Sequence, residues 1–311
     1  MQFEDFFGYT ARLPSQKKGQ GVREGRSLNS LEKVVAGLAL AAVLALSIGF
    51  ARAGDHRNDK LFLRSAVALV QDASSGEMLL AKNQSAVLPI ASITKLMTAM
   101  AVLDAGLDLQ QRVVISGEDL DHLKGTRSRL RPGTVLTRDE LLLLALMSSE
   151  NRAAAALGRT YPGGTGALVD AMNARAQALG MQDTRFVDPT GLSSGNVSSA
   201  RDLARLVAAA HEYPLIREHS TRAGATVSAF GGRTIGFQNT NSLVRSGQWD
   251  IELSKTGYIR EAGRCLVMRV RMHSRELIVV LLDSWGRLSR IGDANRIKKW
   301  LETRAAAGRP G

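Results

Sequence analysis

The amino-acid sequence predicts an α+β fold, in which a sheet built from both ends of the folded region has a helical lobe inserted between its strands. Strand-like runs occur near residues 65–81 and again over residues 251–283, and helix signals dominate the residues between them. Because strands and helices are grouped rather than alternating, an α+β arrangement is favoured over βαβ winding.

The first strands belong to the N-terminal part of the predicted sheet. The run Ser65–Val70 is apolar and has the length of a strand. Turn-forming residues follow over Asp72–Gly76, and apolar residues resume over Glu77–Ala81. Two short apolar runs joined by such a turn predict a β-hairpin.

Helices are predicted through the middle of the chain. The apolar residues that follow Pro89 are typical of a largely buried helix. Capping signals stand at Thr137–Glu140 and Ser199–Asp202, and Gly180 is a stop signal. The predicted helical segments are Ile90–Met100, Leu141–Met147, Gly166–Leu179 and Leu203–His211.

The last third of the chain changes character. Strand-like segments cover Ile251–Thr256, Cys265–Met272 and Leu277–Asp283, and glycine and charged residues separate them. Residues Ala294–Thr303 predict a closing helix, and residues 304–311 predict a loose tail.

The first 53 residues predict an export signal. Residues 1–33 are polar and carry more basic than acidic side chains, whereas the 17 residues Val34–Phe50 carry no charge. The small-residue triplet Ala51–Ala53 then supplies a cleavage site, so residues 1–53 predict a secretory signal peptide with a long N-terminal region. An uncleaved anchor is the alternative, because 17 apolar residues lie at the lower edge of a bilayer span.

The predicted elements also give a domain organisation. Residues 54–303 are expected to form a single domain. Its sheet lobe covers about residues 60–90 and 225–303, and its helical lobe covers about residues 91–224. We find no internal repeat and no long low-complexity linker.

The amino-acid composition excludes several classes of protein for this chain. With 44% hydrophobic and 23% charged residues, the chain is neither disordered nor fibrous. Its net charge of +12 attracts anionic partners, but the three tryptophans are scattered and no basic–aromatic pattern suggests nucleic acid. The single cysteine, Cys265, excludes a disulfide framework within the chain, and the five histidines lack metal-ligand spacing. We therefore expect no metal and no cofactor.

Ser92 and Lys95 are the first candidate catalytic residues. Positions i and i+3 of a helix share one face, with Cβ atoms about 5–6 Å apart. A serine hydroxyl becomes a nucleophile when a base removes its proton, and a lysine with a lowered pKa can be that base. Burial or a second nearby cation can lower the pKa of the lysine.

Three short patterns together strengthen this prediction. Ser-x-x-Lys alone is weak, since it also occurs at Ser15–Lys18 and Ser30–Lys33. However, Ser92–Lys95, Ser149–Asn151 and Lys255–Gly257 follow one another in the order found in serine β-lactamases and penicillin-binding proteins. The first begins a predicted helix, the second follows a capped helix, and the third lies on a predicted strand.

Longer segments resemble the low-molecular-mass penicillin-binding proteins, and most of all the type-7 D-alanyl-D-alanine endopeptidases. The segments are ASITKLMTAM, LLLLALMSSENRAAAALG, FVDPTGLS, SARDLARLV, NTNSLV and KTGYIREAGRCLVMR. The resemblance covers roughly Ser65–Thr303. It implies a DD-peptidase fold, with a mainly antiparallel sheet flanked by helices, an inserted helical lobe and a site between them.

The resemblance also implies a role for each site residue. Ser92 would be the acylated nucleophile, Lys95 the general base and Ser149 a proton relay. Asn151 would contact the substrate amide and help to hold Lys95. The backbone N–H groups of Ser92 and Tyr258 would form the oxyanion hole. Lys255 and Thr256 would contact the carboxylate end of the substrate. Gly257 would let the strand approach closely.

The implied activity is that of a serine D-alanyl-D-alanine endopeptidase, which hydrolyses peptide cross-links in peptidoglycan through a Ser92 acyl-enzyme. A D-alanyl-D-alanine carboxypeptidase is the alternative. Related carboxypeptidases usually carry an extra β-rich domain and a C-terminal anchor, and the 54 residues after Gly257 are too few for either, which favours the endopeptidase. A β-lactamase is less favoured because an E-x-x-L-N pattern is missing. A non-catalytic β-lactam sensor or wall-binding module is less favoured because the full set of site residues is present.

The implied partners are peptidoglycan peptides, with β-lactam antibiotics as acylating inhibitors. Nucleic acid is not expected. An exported protein of this kind is expected in the periplasm, where its N-terminus would contact the membrane if the signal were not cleaved.

Overall fold

The computed structural model of the protein describes residues 61–228, 230–306 and Gly308. The predicted signal peptide and its cleavage triplet lie outside the described residues, and most of the predicted tail does as well. These assignments therefore stay predictions, as do the domain boundaries. None of the helices in the described ranges combines the length and the apolar character needed to cross a bilayer.

Eleven strands and eight helices are described in this part of the chain. The strands are β1 (Ser65–Asp72), β2 (Met78–Lys82), β3 (Leu88–Pro89), β4 (Arg112–Val114), β5 (Val135–Thr137), β6 (Val197–Ser198), β7 (Gly224–Ser228), β8 (Thr234–Gln238), β9 (Asp250–Ile259), β10 (Gly263–Met272) and β11 (Arg275–Ser284). The helices are α1 (Thr94–Asp104), α2 (Arg138–Met147), α3 (Asn151–Arg159), α4 (Gly164–Ala178), α5 (Ala200–His211), α6 (Pro214–Thr221), α7 (Ser242–Ser246) and α8 (Ser289–Ala306). Short 3-10 turns cover Ala91–Ile93, Gly117–Asp119 and Phe230–Gly232.

The main sheet joins the two ends of the folded region, as predicted. Its strand order is β2-β1-β11-β10-β9, and every neighbouring pair is antiparallel. Strand β1 pairs with β11 so that Val67 lies opposite Leu282. The chain between β2 and β9 supplies most of the helices, so the predicted α+β architecture is confirmed. Strand β9 forms one edge of the sheet and brings Lys255 to that edge.

Both faces of the sheet are buried, which explains why its strands read as continuous apolar runs. In β1, Val67 and Leu69 belong to the larger hydrophobic core, which also contains the helices of the inserted region. The alternate residues Ala68 and Val70 belong to a second core, which α8 completes. Successive side chains of a strand point to opposite faces, so one strand serves both cores.

The segment that carries Ser92 differs from its prediction. A single helix was expected over Ile90–Met100, but a 3-10 turn over Ala91–Ile93 precedes α1, which begins at Thr94. Ala91 has a φ of +48°, in the left-handed region that an α-helix cannot use. Ser92 therefore lies on the turn before the regular helix. The turn still places it one helical turn from Lys95.

Other differences concern element ends and short elements. The closing helix α8 runs from Ser289 to Ala306, longer than predicted at both ends, so the predicted tail begins inside this helix. The hairpin β7–β8 pairs only with itself within the described residues and does not join the main sheet. Short polar hairpins and two-residue strands such as β3 and β6 bury too few apolar side chains to leave a clear sequence pattern.

Helix α2 begins at a complete capping box, as predicted. The hydroxyl of Thr137 accepts a hydrogen bond from the backbone N–H of Glu140 at 3.1 Å. The carboxylate of Glu140 accepts one from the backbone N–H of Thr137 at 2.8 Å. The box fixes the start of the helix whose end leads into Ser149.

Replacing Thr137 with alanine tests this cap. We expect the free energy of unfolding to fall by about 1 kcal/mol, because the N-terminal N–H groups of α2 lose an acceptor. For a chain of this size the melting temperature should fall by roughly 2–4 °C. Urea titration and thermal scans measure the two quantities. Thr234→Ala, at an exposed strand position, is the control and should stay within about 0.5 kcal/mol. Equal losses in both variants would contradict the role of the cap.

Candidate active site

Ser92 occupies a half-buried position between two fully buried neighbours, Ala91 and Ile93. The left-handed φ of +48° at Ala91 turns the chain sharply at this point. A non-glycine residue in this region costs of order 1–3 kcal/mol, and such positions cluster at functional sites. The 3-10 turn thus presents one polar side chain on an otherwise apolar segment.

Lys95 lies one turn further along and is completely buried. Its Nζ lies 2.9 Å from Ser92 Oγ. The same Nζ donates hydrogen bonds to Asn151 Oδ1 at 2.8 Å and to the backbone carbonyl of Thr190. Three oxygens from three separate segments therefore surround one amine.

Burial lowers the pKa of Lys95 to about 7, because the charged ammonium loses its hydration. The negative charges of Asp188 and Glu150 act in the opposite direction and limit the fall. A lysine with this pKa is neutral in a large fraction of molecules at neutral pH. A neutral amine can accept a proton.

Ser149 lies on the turn that joins α2 to α3, and Asn151 comes directly after this turn. Ser149 has a φ of +59°, a second left-handed position for a non-glycine residue. Asn151 is the first residue of α3. Its amide oxygen accepts from Lys95, and its Nδ2 donates to Thr126 Oγ1 at 3.0 Å. The side chain is thereby fixed at both ends.

Lys255 is the second buried lysine of the site, with 1% of its surface exposed. Its Nζ donates to Ser149 Oγ at 2.8 Å and to the carbonyl of Thr256 at 2.9 Å. Burial holds the pKa of Lys255 well below its ordinary value, and the positive charges of Lys95 and Arg290 lower it further. The charge of Lys95, on one side of the cleft, therefore affects the pKa of Lys255 on the other side.

Two glycines allow the backbone to close around Ser92. A Cβ at Gly257 would lie 2.8 Å from the carbonyl oxygen of Ile90 and 3.1 Å from the backbone nitrogen of Ser92. A Cβ at Gly191, where φ is +78°, would lie 2.1 Å from the carbonyl oxygen of Ala91. Neither position has room for a side chain. Strand β9 and the loop at Gly191 can therefore approach the turn of Ser92 from two directions.

The remaining predicted residues lie nearby on β9. The hydroxyl of Thr256 donates to Thr240 Oγ1 at 2.6 Å. The side chain of Tyr258 is 56% exposed, and the guanidinium of Arg264 lies 4.5 Å from the centre of its ring. The predicted oxyanion hole uses only backbone N–H groups, those of Ser92 and Tyr258, and it stays a prediction.

Sequence reasoning missed the loop that supplies the third oxygen around Lys95. The carboxylate of Asp188 accepts hydrogen bonds from the backbone N–H groups of Thr190, Gly191 and Ser193 and from the side chain of Asn196. These bonds fix the loop so that the carbonyl of Thr190 faces Lys95. The Asp-Pro-Thr-Gly sequence is a turn signal that could have indicated such a loop.

Arg290 was also missed. This largely buried side chain extends from α8 and donates from Nη1 to the carbonyls of Gly257 at 2.9 Å and Cys265 at 3.1 Å. Burial lowers its pKa to about 10, and the charge of Arg264 adds to this effect. Arg290 thus ties the last helix to the part of β9 that faces Ser92. No local pattern in the sequence indicates this contact.

A serine hydroxyl beside a buried lysine of lowered pKa, with a second buried lysine across the cleft, defines a serine enzyme of the acyl-transfer class. The chain belongs to the peptidase family described as D-alanyl-D-alanine carboxypeptidase, whose family model matches residues 55–285. The predictions of a serine-type DD-peptidase and of its fold are confirmed by this membership and by the similarities that follow.

Several known proteins are similar over most of their length. A D-alanyl-D-alanine endopeptidase of Pseudomonas aeruginosa is 50% identical over 242 residues, which cover 78% of each chain. One of Escherichia coli is 45% identical with the same coverage. Among solved structures, a Streptomyces DD-transpeptidase has a TM-score of 0.71 at 25% identity, covering 77% of this chain and 97% of that one. A D-alanyl-D-alanine carboxypeptidase from Mycobacterium tuberculosis has a TM-score of 0.69 at 26% identity, covering 77% and 91%.

Replacing Gly257 with alanine tests the close approach of β9 to Ser92. The new Cβ would meet backbone atoms, so the strand must move, and we expect a loss of about 1–3 kcal/mol in the free energy of unfolding. Labelling by a fluorescent penicillin should slow by roughly 100-fold, because a small displacement of reacting groups is costly. Gly166→Ala in α4 is the control, since a Cβ there meets nothing within 4 Å. Normal labelling of Gly257→Ala would contradict the steric argument.

Proposed function

We propose that this chain is a D-alanyl-D-alanine endopeptidase that hydrolyses peptide cross-links of peptidoglycan through an acyl-enzyme on Ser92. The observation that carries the proposal is the hydrogen-bond environment of Lys95. Relatives that bear the name D-alanyl-D-alanine endopeptidase support the choice of reaction. We also propose that the enzyme acts in the periplasm and that β-lactams acylate the same serine.

The contacts of Lys95 suit a general base. A neutral amine has two N–H groups and one lone pair. The amide oxygen of Asn151 and the carbonyl of Thr190 can only accept hydrogen bonds, so they take the two N–H groups. The lone pair is then left for the third neighbour, Ser92 Oγ, at 2.9 Å. This hydroxyl can donate its proton to Lys95 as it attacks.

In the proposed reaction, Ser92 Oγ forms a bond to the carbonyl carbon of the D-alanine on the acyl side of the cross-link while Lys95 takes the serine proton. The C–N bond then breaks, and the leaving nitrogen takes a proton from Ser149, which Lys95 replenishes. Because Ser149 Oγ accepts its hydrogen bond from Lys255, its own O–H is available for donation. Water hydrolyses the ester in the second half, with Lys95 again as the base.

The other site residues would bind and polarise the substrate. The backbone N–H groups of Ser92 and Tyr258 would stabilise the oxyanion, each such donor contributing about 3–4 kcal/mol in the transition state. Asn151 would contact the amide of the acyl half. The side chain of Lys255 and the hydroxyl of Thr256 would face the carboxylate of the leaving half.

A second candidate is a D-alanyl-D-alanine carboxypeptidase, which the description of the matching family favours. The two reactions share the acyl-enzyme and differ in the leaving group. A carboxypeptidase releases a single D-alanine, whereas an endopeptidase releases a whole stem peptide. The distinction lies in the cleft beyond Ser149 and Lys255.

The acyl-enzyme is tested by labelling with a fluorescent penicillin. We expect label on Ser92 alone, none in Ser92→Ala, and a loss of about 100- to 10,000-fold in rate in Lys95→Ala, the usual contribution of a general base. Peptide mapping by mass spectrometry locates the label. Lys299→Ala, at an exposed position of α8, is the matched control and should label normally.

The same assay has an expected pH dependence. Protonated Lys95 cannot accept a proton, so the labelling rate should fall tenfold for each pH unit below the pKa of about 7 and level off above it. A profile that is flat between pH 5 and pH 8 would remove Lys95 from the base role. Label on another residue would remove Ser92 from the nucleophile role.

The substrate is tested with two purified muropeptides under equal conditions. We expect cross-linked dimers to be cleaved to monomers, with little release of D-alanine from uncross-linked pentapeptides. Binding energy from the long leaving stem can support the reacting geometry, which a single D-alanine cannot supply. Chromatography of both reactions measures the two rates, and Ser92→Ala is the blank. Faster release of D-alanine from the pentapeptide would favour the carboxypeptidase.

A further inference from the structure

An open groove of about 1130 Å³ lies on the Ser149 side of the site. Its walls are the segment 127–129, the residues Ser148 and Glu150, and the hairpin β7–β8 together with Arg222 just before it. We call it the arginine groove, because Arg127, Arg129 and Arg222 come from these separate segments and all line it. Ser148 and Glu150 are the sequence neighbours of Ser149, so the groove lies next to the turn that carries this site residue.

The lining of the arginine groove carries more positive than negative charge. Arg129 is fixed: its Nη1 donates to the carbonyl of Gly236 at 2.6 Å, and its guanidinium lies 4.1 Å from the centre of the Phe237 ring. In the described part of the chain, Arg127 and Arg222 have no carboxylate within 4.0 Å of their guanidinium groups. Among the residues that line the groove, Glu150 is the acidic one. Three guanidinium groups thus face one carboxylate.

The groove on the other side of the site has the opposite character. It has a volume of about 400 Å³ and begins at Asn151 and Thr190. Its lining includes Glu118 and Asp121. Under the proposed mechanism, Asn151 contacts the acyl half of the substrate, whereas Ser149 and Lys255 serve the leaving half. The positive groove is therefore on the side of the leaving group.

We propose that the arginine groove binds the carboxylates of the stem peptide that departs with the leaving amine. This inference rests on the proposed endopeptidase function and names the residues that select its substrate. A guanidinium matches a carboxylate with two parallel hydrogen bonds, and Arg129 is already held in place by Gly236 and Phe237. The groove is as large as sites that hold whole drug-sized ligands, far more than one D-alanine requires.

The test compares two cross-linked dimers. The carboxylate beside the scissile bond, which Lys255 and Thr256 would face, is free in both, and the other carboxylates of the leaving stem are free in one dimer and amidated in the other. The enzymes are the unaltered chain, the double variant Arg127→Ala/Arg222→Ala and the control Arg233→Ala. Arg233 is an exposed arginine next to the same hairpin and does not line the groove. Rates are normalised to the fraction of protein that a fluorescent penicillin labels, which counts folded and active molecules.

We expect the unaltered chain and Arg233→Ala to prefer the free-carboxylate dimer by roughly tenfold in kcat/KM, as expected for two solvent-facing charge pairs. The preference should be small or missing in the double variant, mainly through a higher KM. Equal preference in the double variant and the unaltered chain would overturn the inference and leave the endopeptidase function standing. If a fluorescent penicillin labels a separate sample of the unaltered chain and the unlabelled chain still cleaves neither dimer, the proposed function is overturned, and the inference with it.

Discussion

The site depends on one unfavourable event, the burial of the Lys95 amine. An ammonium group without water costs several kcal/mol in a protein interior unless partners replace its hydration. The structure supplies three oxygens, from Ser92, Asn151 and Thr190, and these belong to distant parts of the sequence. Burial also lowers the pKa of Lys95 to about 7, so the same event that needs the partners makes the amine a base. Both the stability of the fold and the chemistry of the site therefore require three oxygens to be placed around the buried amine of Lys95.

Meeting this requirement determines much of the surrounding backbone. Residues Gly191 and Gly257 have no space for a Cβ, because the loop and the strand press against the turn that carries Ser92. Two non-glycine residues beside the reacting groups, Ala91 and Ser149, adopt left-handed backbone conformations. Strain of this kind persists only where the rest of the structure determines it. Here the sheet with its two hydrophobic cores provides that support, and Arg290 binds β9 to the last helix.

The sequence predicts the parts of this arrangement that depend on side-chain type. The long apolar strands, the capping box at Thr137–Glu140 and the group of Ser92, Lys95, Ser149 and Lys255 all carry such signatures, and the structure brings those four side chains together. The contribution of Thr190 is a backbone carbonyl, which any residue type offers, so composition and spacing could not reveal it. Arg290 contacts Gly257 from 33 residues away and depends on how α8 packs on the sheet. The left-handed turn at Ala91 likewise follows from tertiary contacts and not from helix propensity.

The distribution of basic residues separates two uses of positive charge. Inside the site the cations are lysines, whose pKa falls on burial, so Lys95 can exchange a proton near neutral pH. Along the proposed leaving-group side the cations are the arginines of an open groove, and a guanidinium stays charged throughout the physiological range. Proton transfer requires a group that can lose its charge, whereas binding of a carboxylate requires one that keeps it. The turn Ser148–Glu150 lies between the buried lysines and the arginine groove. In a substrate that spans this turn, the stem would contact arginines that stay charged, and the scissile bond would lie near the amine of Lys95, which can titrate.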